Sequence, residues 1–313
     1  MRPIRTWALY LVVVFVGGAL LAPWLRTFVQ EGATVLPALQ PLARMPFHRY
    51  VHRCLLLLAV GGLWPLMRAL GVCSAPKIGV AVPAGWVRRW AVGFALGCAS
   101  VAGVFVLAMG AHGRSWNVEH SFTDVVVRVG SAGLTAAVVA PMEEILFRGV
   151  LFGSLRRAHG WRIGLVASSL IYALTHFFKP VLWDGPVSWE TGLVVLGRMM
   201  RGMVDPAALV PGFLSLALAG ALLALAYQRT GDLWCSVGLH GGWILWMESL
   251  AFVTQDVSGA KVWFWGTGWL VDGWLASSAL VALGLIMWKC VLPGVEPEGK
   301  HGERGGAVGS NIA

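Results

Sequence analysis

Residues 6–25 read TWALYLVVVFVGGALLAPWL and contain no charged side chain. A helix needs about 20 apolar residues to cross a hydrocarbon core, so this stretch predicts a membrane-spanning helix. Trp90–Gly113 and Pro206–Gln228 also lack Asp, Glu, Lys and Arg. Of the 313 residues, 57% are hydrophobic and only 12% are charged, which is too few charges for the surface of a soluble protein of this size.

The distribution of apolar runs predicts an all-α fold, a polytopic membrane helix bundle of about eight transmembrane helices. The first span is expected to be a retained helix, because its apolar run is longer than a signal-peptide core and no Ala-x-Ala-like sequence follows it. The stretch 179–210 is interrupted by Arg198 and Arg201, which predicts an interfacial or re-entrant element. The expected spans are 6–25, 54–72, 90–112, 129–155, 161–178, 207–228, 233–253 and 267–289.

The same pattern divides the chain into four regions. Residues 1–128 form N-terminal transmembrane helices, and residues 129–253 form a core that holds the polar residues discussed below. Residues 254–292 carry a C-terminal transmembrane helix. The tail 293–313 is rich in Gly, Pro and charge, which predicts disorder.

The net charge of +9 comes from basic residues that lie at the ends of the spans. This pattern is typical of loops that face anionic lipid and the cytoplasm, and it favours a lipid bilayer over nucleic acid as the partner. We therefore expect a multi-pass protein of the plasma (inner) membrane. The N-terminus, the turn at Arg156 and Arg157, and the tail after Pro293 are expected to face the cytoplasm.

Ionisable residues within spans are costly to insert and mark functional sites by default. Glu143 and Glu144 lie in the fourth span, His176 near the end of the fifth and His240 in the seventh. At 1.5 Å per residue, Glu143 and His176 each lie about 20 Å from the turn that joins their helices, and His240 lies about 12 Å from the same membrane face. Three helices therefore carry polar side chains to comparable depths.

Glu144 and Arg148 have the i,i+4 spacing of a pair on one helix face, whereas Glu143 points about 100° away. A carboxylate in a low-dielectric cleft is suited to act as a base near neutral pH. With His176, Glu143 could polarise a water molecule, and His240 could stabilise an oxyanion. Taken singly, such a Glu–Arg pair is more often a folding device and such a His a structural residue.

Three motifs together resemble those of the CAAX protease and bacteriocin-processing family. Glu143-Glu144-Ile145-Leu146-Phe147-Arg148 is similar to its Glu-Glu-x-x-x-Arg signature, and Tyr172-Ala173-Leu174-Thr175-His176 resembles Phe-x-x-x-His with Tyr in place of Phe. The stretch from Thr230 to His240-Gly241-Gly242-Trp243 resembles the last motif, normally His-x-x-x-Asn. The resemblance covers residues 129–253.

The resemblance implies an eight-helix, glutamate-type intramembrane endopeptidase that acts on a membrane-anchored protein or peptide. It assigns water activation to Glu143 and His176, oxyanion binding to His240, and supporting roles to Glu144 and Arg148. One residue departs from the pattern, because the family's Asn is Ile244 here. Trp243, with its indole N–H, and Glu248 on the same helix face are the candidate substitutes.

Two alternatives remain open on the sequence. The Ile244 substitution favours a weak or inactive family member that acts as a peptide-binding, immunity or transport protein. No cofactor is expected, since the chain lacks a compact metal-ligand motif such as His-Glu-x-x-His. A zinc site formed by His176, His240 and Glu143 is the alternative, because two His and one Glu are a known catalytic ligand set.

Overall fold

The structure is a computed structural model, and it describes residues 2–178, 180–201, 210–257, 259, 261–267 and 271–291. These residues form an all-α bundle, apart from one short two-stranded ribbon. The tail expected at 293–313 lies outside the described residues.

Helix α1 begins at Arg2–Val12, passes through π-helical turns at Val13–Gly17 and continues as Gly18–Val35. It is longer than the predicted span 6–25, because the chain remains helical beyond Arg26. Helix α2 covers Phe47–Ala69 and packs along α1.

Helices α3 to α5 carry two of the three motifs. Helix α3 covers Trp86–Gly110. Helix α4 begins at Phe122–Glu144, where Ser121 and Asp124 form a capping box, and continues through a π-helical stretch at Ile145–Phe152 into Gly153–His159. After a sharp turn at Gly160, helix α5 covers Trp161–Thr175.

In the described part of the chain, the remaining helices of nine residues or more are α6 (Thr191–Met199), α7 (Gly212–Thr230), α8 (Trp234–Val253) and α9 (Trp274–Ile286, continued by π-helical Met287–Val291). At nine residues, α6 is too short to cross a bilayer, and its buried face packs against α1 and α2.

The protein is an integral multi-pass membrane protein. Among the described residues, five helices are long and apolar enough to cross a membrane, and Trp161–Thr175 and Trp274–Lys289 are shorter apolar helices. The all-α membrane bundle predicted from the sequence is confirmed, whereas the number of eight spans and the four-region division stay predictions. The five long helices are Pro3–Val35, Phe47–Ala69, Trp86–Gly110, Phe122–His159 and Gly212–Thr230.

Helices α3 and α8 cross in direct backbone contact, which we call the glycine crossing. It is formed by Gly93 and Gly97 on α3 and by Gly238 and Gly242 on α8. A Cβ atom at Gly242 would lie 2.6 Å from the carbonyl oxygen of Phe94, and the other three glycines are packed against backbone carbonyls even more closely. Small residues at such spacing let membrane helices approach to backbone distance. The crossing therefore fixes the part of α8 that carries His240.

The two-stranded ribbon pairs Arg114–Trp116 (β1) with Thr254–Asp256 (β2) in antiparallel register. The guanidinium of Arg114 is buried and donates hydrogen bonds to Thr254, Asp256 and the carbonyl of Thr267. Because the strands follow α3 and α8, the ribbon joins these two helices at the end of the glycine crossing that lies beyond Gly242.

Candidate active site

One cavity collects the polar residues that the sequence placed at similar depths. It has a volume of about 500 Å³, within the range of about 300–1,000 Å³ that is typical of ligand sites. Glu143 of α4, His240 of α8, and His176, which directly follows α5, all line it. The predicted meeting of three helices is therefore present, and the roles assigned to these side chains stay predictions.

A buried ion pair lies beside this cavity and reaches one of its histidines. Glu144 is fully buried and accepts a hydrogen bond from Nη1 of Arg148 at 2.8 Å. The same carboxylate oxygen, Oε1, lies 2.9 Å from Nδ1 of His240. A carboxylate at this position accepts the Nδ1–H hydrogen, which directs Nε2 of His240 away from Glu144. Glu144 thus orients His240 in addition to balancing Arg148.

Nε2 of His240 faces the other glutamate. Oε2 of Glu143 lies 3.9 Å from it, beyond hydrogen-bond distance but close enough for a small reacting group to contact both atoms. Oε2 is buried and accepts no hydrogen bond from the described residues. Oε2 of Glu144 also lacks a hydrogen-bond partner, and the two glutamates differ in that Oε1 of Glu144 contacts both Arg148 and His240.

The local backbone of α4 explains why the two adjacent glutamates differ. The π-helical stretch begins directly after Glu144, and such wide turns often occur at functional sites. Within it, Gly149 lets the backbone of Ile78 approach, since a Cβ at Gly149 would lie 2.6 Å from the Ile78 carbonyl oxygen. Glu143, directly before Glu144, lies in the wall of the cavity, whereas Glu144 does not line it and is fully buried.

His176 is oriented by the end of its own helix. Its Nδ1 lies 2.8 Å from the backbone carbonyl oxygen of Tyr172, one turn earlier in α5. A carbonyl can only accept, so Nδ1 carries the hydrogen and Nε2 is left as a proton acceptor in the neutral ring. As a residue, His176 has more accessible surface than the buried His240.

Tyr172 lies next to His176, His240 and Arg148. The sequence indicated it only as the residue that replaces Phe in the second motif. It is buried, lines the cavity and has its ring 4.5 Å from that of His176 and 6.2 Å from that of His240. The guanidinium carbon of Arg148 lies 4.3 Å from the Tyr172 ring centroid. A tyrosine among these charged groups could have been noticed, because a buried phenol usually has a polar partner.

Trp243 and Glu248, the residues predicted to replace the missing Asn, contact other side chains in the structure. Ile244 lines the cavity, and the indole N–H of Trp243 donates to the hydroxyl of Ser100 on α3 at 2.9 Å. Glu248 also lines the cavity but pairs with Arg128 of α4 at 3.2 Å. Trp243 and Glu248 are therefore both engaged with other residues and do not present a free donor to a group beside His240. Their partners are far away along the chain, so the sequence could not indicate these contacts.

A second, smaller cavity of about 80 Å³ lies on the other side of His240 and is enclosed by α3, α7, α8 and α9. Its lining is almost wholly apolar and shares Tyr172, Leu216, His240, Met247 and Val271 with the first cavity. A flat apolar side chain could therefore extend from one cavity into the other.

Within the described residues, no three His, Cys, Asp or Glu side chains are grouped as ligands of a metal ion. Both the expected absence of a cofactor and the zinc alternative stay predictions.

Comparison with known families places this geometry in context. Residues 126–246 match the family model described as Rce1-like, type II CAAX prenyl endopeptidase. This region is Rce1-like. The match confirms the family resemblance predicted from the three motifs. No curated protein and no solved structure gives a significant match to the chain. The Rce1-like region includes Glu143, His176 and His240, which line the cavity.

Proposed function

We propose that the protein is an intramembrane endopeptidase that hydrolyses a peptide bond with a water molecule activated by Glu143 and His176. The observation that carries the proposal is the convergence of Glu143, His176 and His240 in one cavity next to a buried pair that orients His240. The Rce1-like match to an endopeptidase family supports the same reaction class.

The reaction follows from the roles that these atoms can take. Glu143 accepts a proton from the water as its oxygen bonds to the carbonyl carbon of the substrate, and the carbonyl oxygen becomes an oxyanion. His176, with Nε2 available as an acceptor, holds the water in line. As the C–N bond breaks, the proton on Glu143 passes to the leaving amine. A carboxylate held by few other contacts is suited to both transfers.

His240 serves the oxyanion. With Nδ1 donating to Glu144, Nε2 carries a hydrogen only when the ring is an imidazolium, and in that form it donates to the developing negative charge. Glu144 is a positioning residue, because it fixes the tautomer and the direction of the ring without touching the reacting atoms.

The phenol of Tyr172 is our candidate for the second oxyanion donor. It replaces the family's Phe in the same chain in which Ile244 replaces the family's Asn, and both residues line the cavity. A hydroxyl can donate where Phe cannot. Trp243 is the weaker candidate, since its N–H is engaged with Ser100.

The substrate is a membrane-associated protein or peptide, because the cavity lies among membrane-spanning helices. The Rce1-like family name points to prenylated C-termini. The plasma (inner) membrane is the proposed location, and no metal takes part in the proposed chemistry. A second candidate function, peptide binding without cleavage, is favoured by Ile244 and by the committed partners of Trp243 and Glu248.

The test compares membrane peptides in cells that express the wild-type protein or Glu143→Gln. Glutamine keeps the size but cannot accept the proton, so processed termini present with the wild type should be absent with the variant. Glu119→Gln is the matched control, because Glu119 is exposed and lies outside the cavity. Identical termini with all three proteins would refute cleavage, whereas intact peptides that co-purify with Glu143→Gln and the wild type alike would support the binding function.

A further inference from the structure

A groove on the outer surface of the bundle shares no lining residue with the cavity that holds Glu143. It lies between α5, α7 and α9 and has a volume of about 390 Å³, within the range of ligand sites. Its walls are apolar throughout and include Leu165, Leu218, Leu225 and Leu285. Gly284 keeps it open, since a Cβ there would lie 3.0 Å from Leu222.

One end of the groove is lined by two tryptophans, and the arginines that lie over their rings are beside the groove and not in its lining. Trp161 and Trp288 line it there, and each has an arginine over its ring: Arg162 at 5.6 Å and Arg229 at 3.6 Å from the ring centroids. Trp161 begins α5, Arg229 lies in the last turn of α7, and Trp288 follows α9, so all three helices present this end at one membrane face. Tryptophan is enriched at the membrane interface, where lipid headgroups lie.

The groove extends from this end toward the middle of the bilayer. Leu218 precedes Arg229 by eleven residues of helix, or about 16 Å at 1.5 Å per residue. An apolar channel of that depth, with two tryptophans at its interfacial end and an arginine over each of them, matches the shape and charge of a lipid with an acyl chain below an anionic headgroup.

We propose that this groove is a binding site for an anionic phospholipid. An acyl chain lies between α7 and α9 against Leu218, Leu222 and Leu285, and the phosphate is held by Arg162 and Arg229. The indoles of Trp161 and Trp288 position both guanidinium groups at headgroup depth. A neutral zwitterionic lipid would fill the apolar part equally well and gain less from the two cations. The site is separate from the proposed active site and does not depend on proteolysis.

The experiment uses the purified full-length protein and measures the first lipid-binding constant by native mass spectrometry. The probes are dioleoyl phosphatidylglycerol and dioleoyl phosphatidylcholine. The wild type should bind phosphatidylglycerol more tightly. Because one cation near a lipid surface contributes about fivefold in affinity, Arg162→Gln/Arg229→Gln should weaken that binding by about 25-fold and leave phosphatidylcholine binding almost unchanged.

A second variant tests the apolar part. Ala221 lines the groove, so Ala221→Phe should obstruct it and weaken the binding of both lipids. The matched controls are Arg68→Gln, an exposed arginine at the end of α2, and Val106→Phe, an exposed apolar residue on α3. Both should bind phosphatidylglycerol as the wild type does. Equal affinity of the wild type for the two lipids, or equal losses in the controls and the groove variants, would overturn the proposal.

Discussion

The buried pair of Glu144 and Arg148 offers a test in which folding and positioning can be separated. The side chains of Glu144 and Arg148 are 0% and 2% exposed, and the pair also holds His240. Arg148→Leu leaves the Glu144 carboxylate buried without its cation, whereas Glu144→Leu/Arg148→Leu removes both charges. These two variants share one substitution and differ in whether an unpaired charge remains.

The magnitudes follow from burial. Loss of one partner of a buried ion pair costs about 3–5 kcal/mol, whereas replacement of both partners by apolar residues is often neutral or stabilising. At about 2 °C per kcal/mol for a chain of this size, Arg148→Leu should lower the melting temperature by about 6–10 °C. In the double variant, Nδ1 of His240 loses its acceptor, at a cost of about 1–3 kcal/mol, so a fall of only a few degrees is expected.

The assay is thermal unfolding in detergent, with Arg128→Leu as the control. Arg128 and Glu248 form a pair whose side chains are 35% and 21% exposed, and such a pair contributes at most about 1 kcal/mol. A double variant that melts as low as Arg148→Leu, or an Arg148→Leu protein that melts as high as Arg128→Leu, would refute the reasoning. Cleavage by the stable double variant should still fall by about 10–100-fold, because His240 is no longer oriented.

Three further predictions concern the reaction and the topology. Cleavage should persist after exhaustive chelation, and loss of activity that zinc restores would favour the metal-hydrolase alternative. Tyr172→Phe should lower the cleavage rate by about 10²-fold and Ile244→Asn should change it little, since Tyr172 already supplies the second oxyanion donor; unchanged rates in both, with slower cleavage by Trp243→Phe, would assign the role to the indole. Cysteines introduced at Arg157 and after Pro293 should resist an impermeant thiol reagent in intact cells, and labelling at Arg157 but not near Asp184 would invert the topology.

The sequence was sufficient for the helices whose apolar runs match the thickness of a bilayer. The predicted span 233–253 agrees closely with α8, because Asp232 and the polar segment after Val253 end the apolar run on both sides. The predicted end of α1 at residue 25 was too early, because the helix continues to Val35. A helix that leaves the hydrocarbon no longer needs apolar residues, so the apolar run does not indicate where it ends. The ribbon at Arg114–Trp116 was not predicted, because three-residue strands leave no periodic pattern.

Some features of the candidate site could likewise be predicted from the sequence, and others could not. Depth along single helices was enough to group Glu143, His176 and His240, since it requires only the rise per residue. Contacts between helices were beyond the sequence. The bond from Trp243 to Ser100 and the contact from His240 to Glu144 join residues 143 and 96 positions apart, and no local spacing encodes them.

Because of the glycine crossing, substitutions in different parts of the protein should affect the position of His240 to different extents. His240 lies two residues from both Gly238 and Gly242, or about 200° around α8, so its side chain is on a different face of α8 from the two crossing glycines. The backbone contact at the crossing sets the position of His240 along the helix axis, and Glu144 sets the orientation of its ring. The cavity walls supplied by α4, α5 and α7 could be resized for another peptide while His240 stays in register, whereas a single methyl group added at the crossing would displace it.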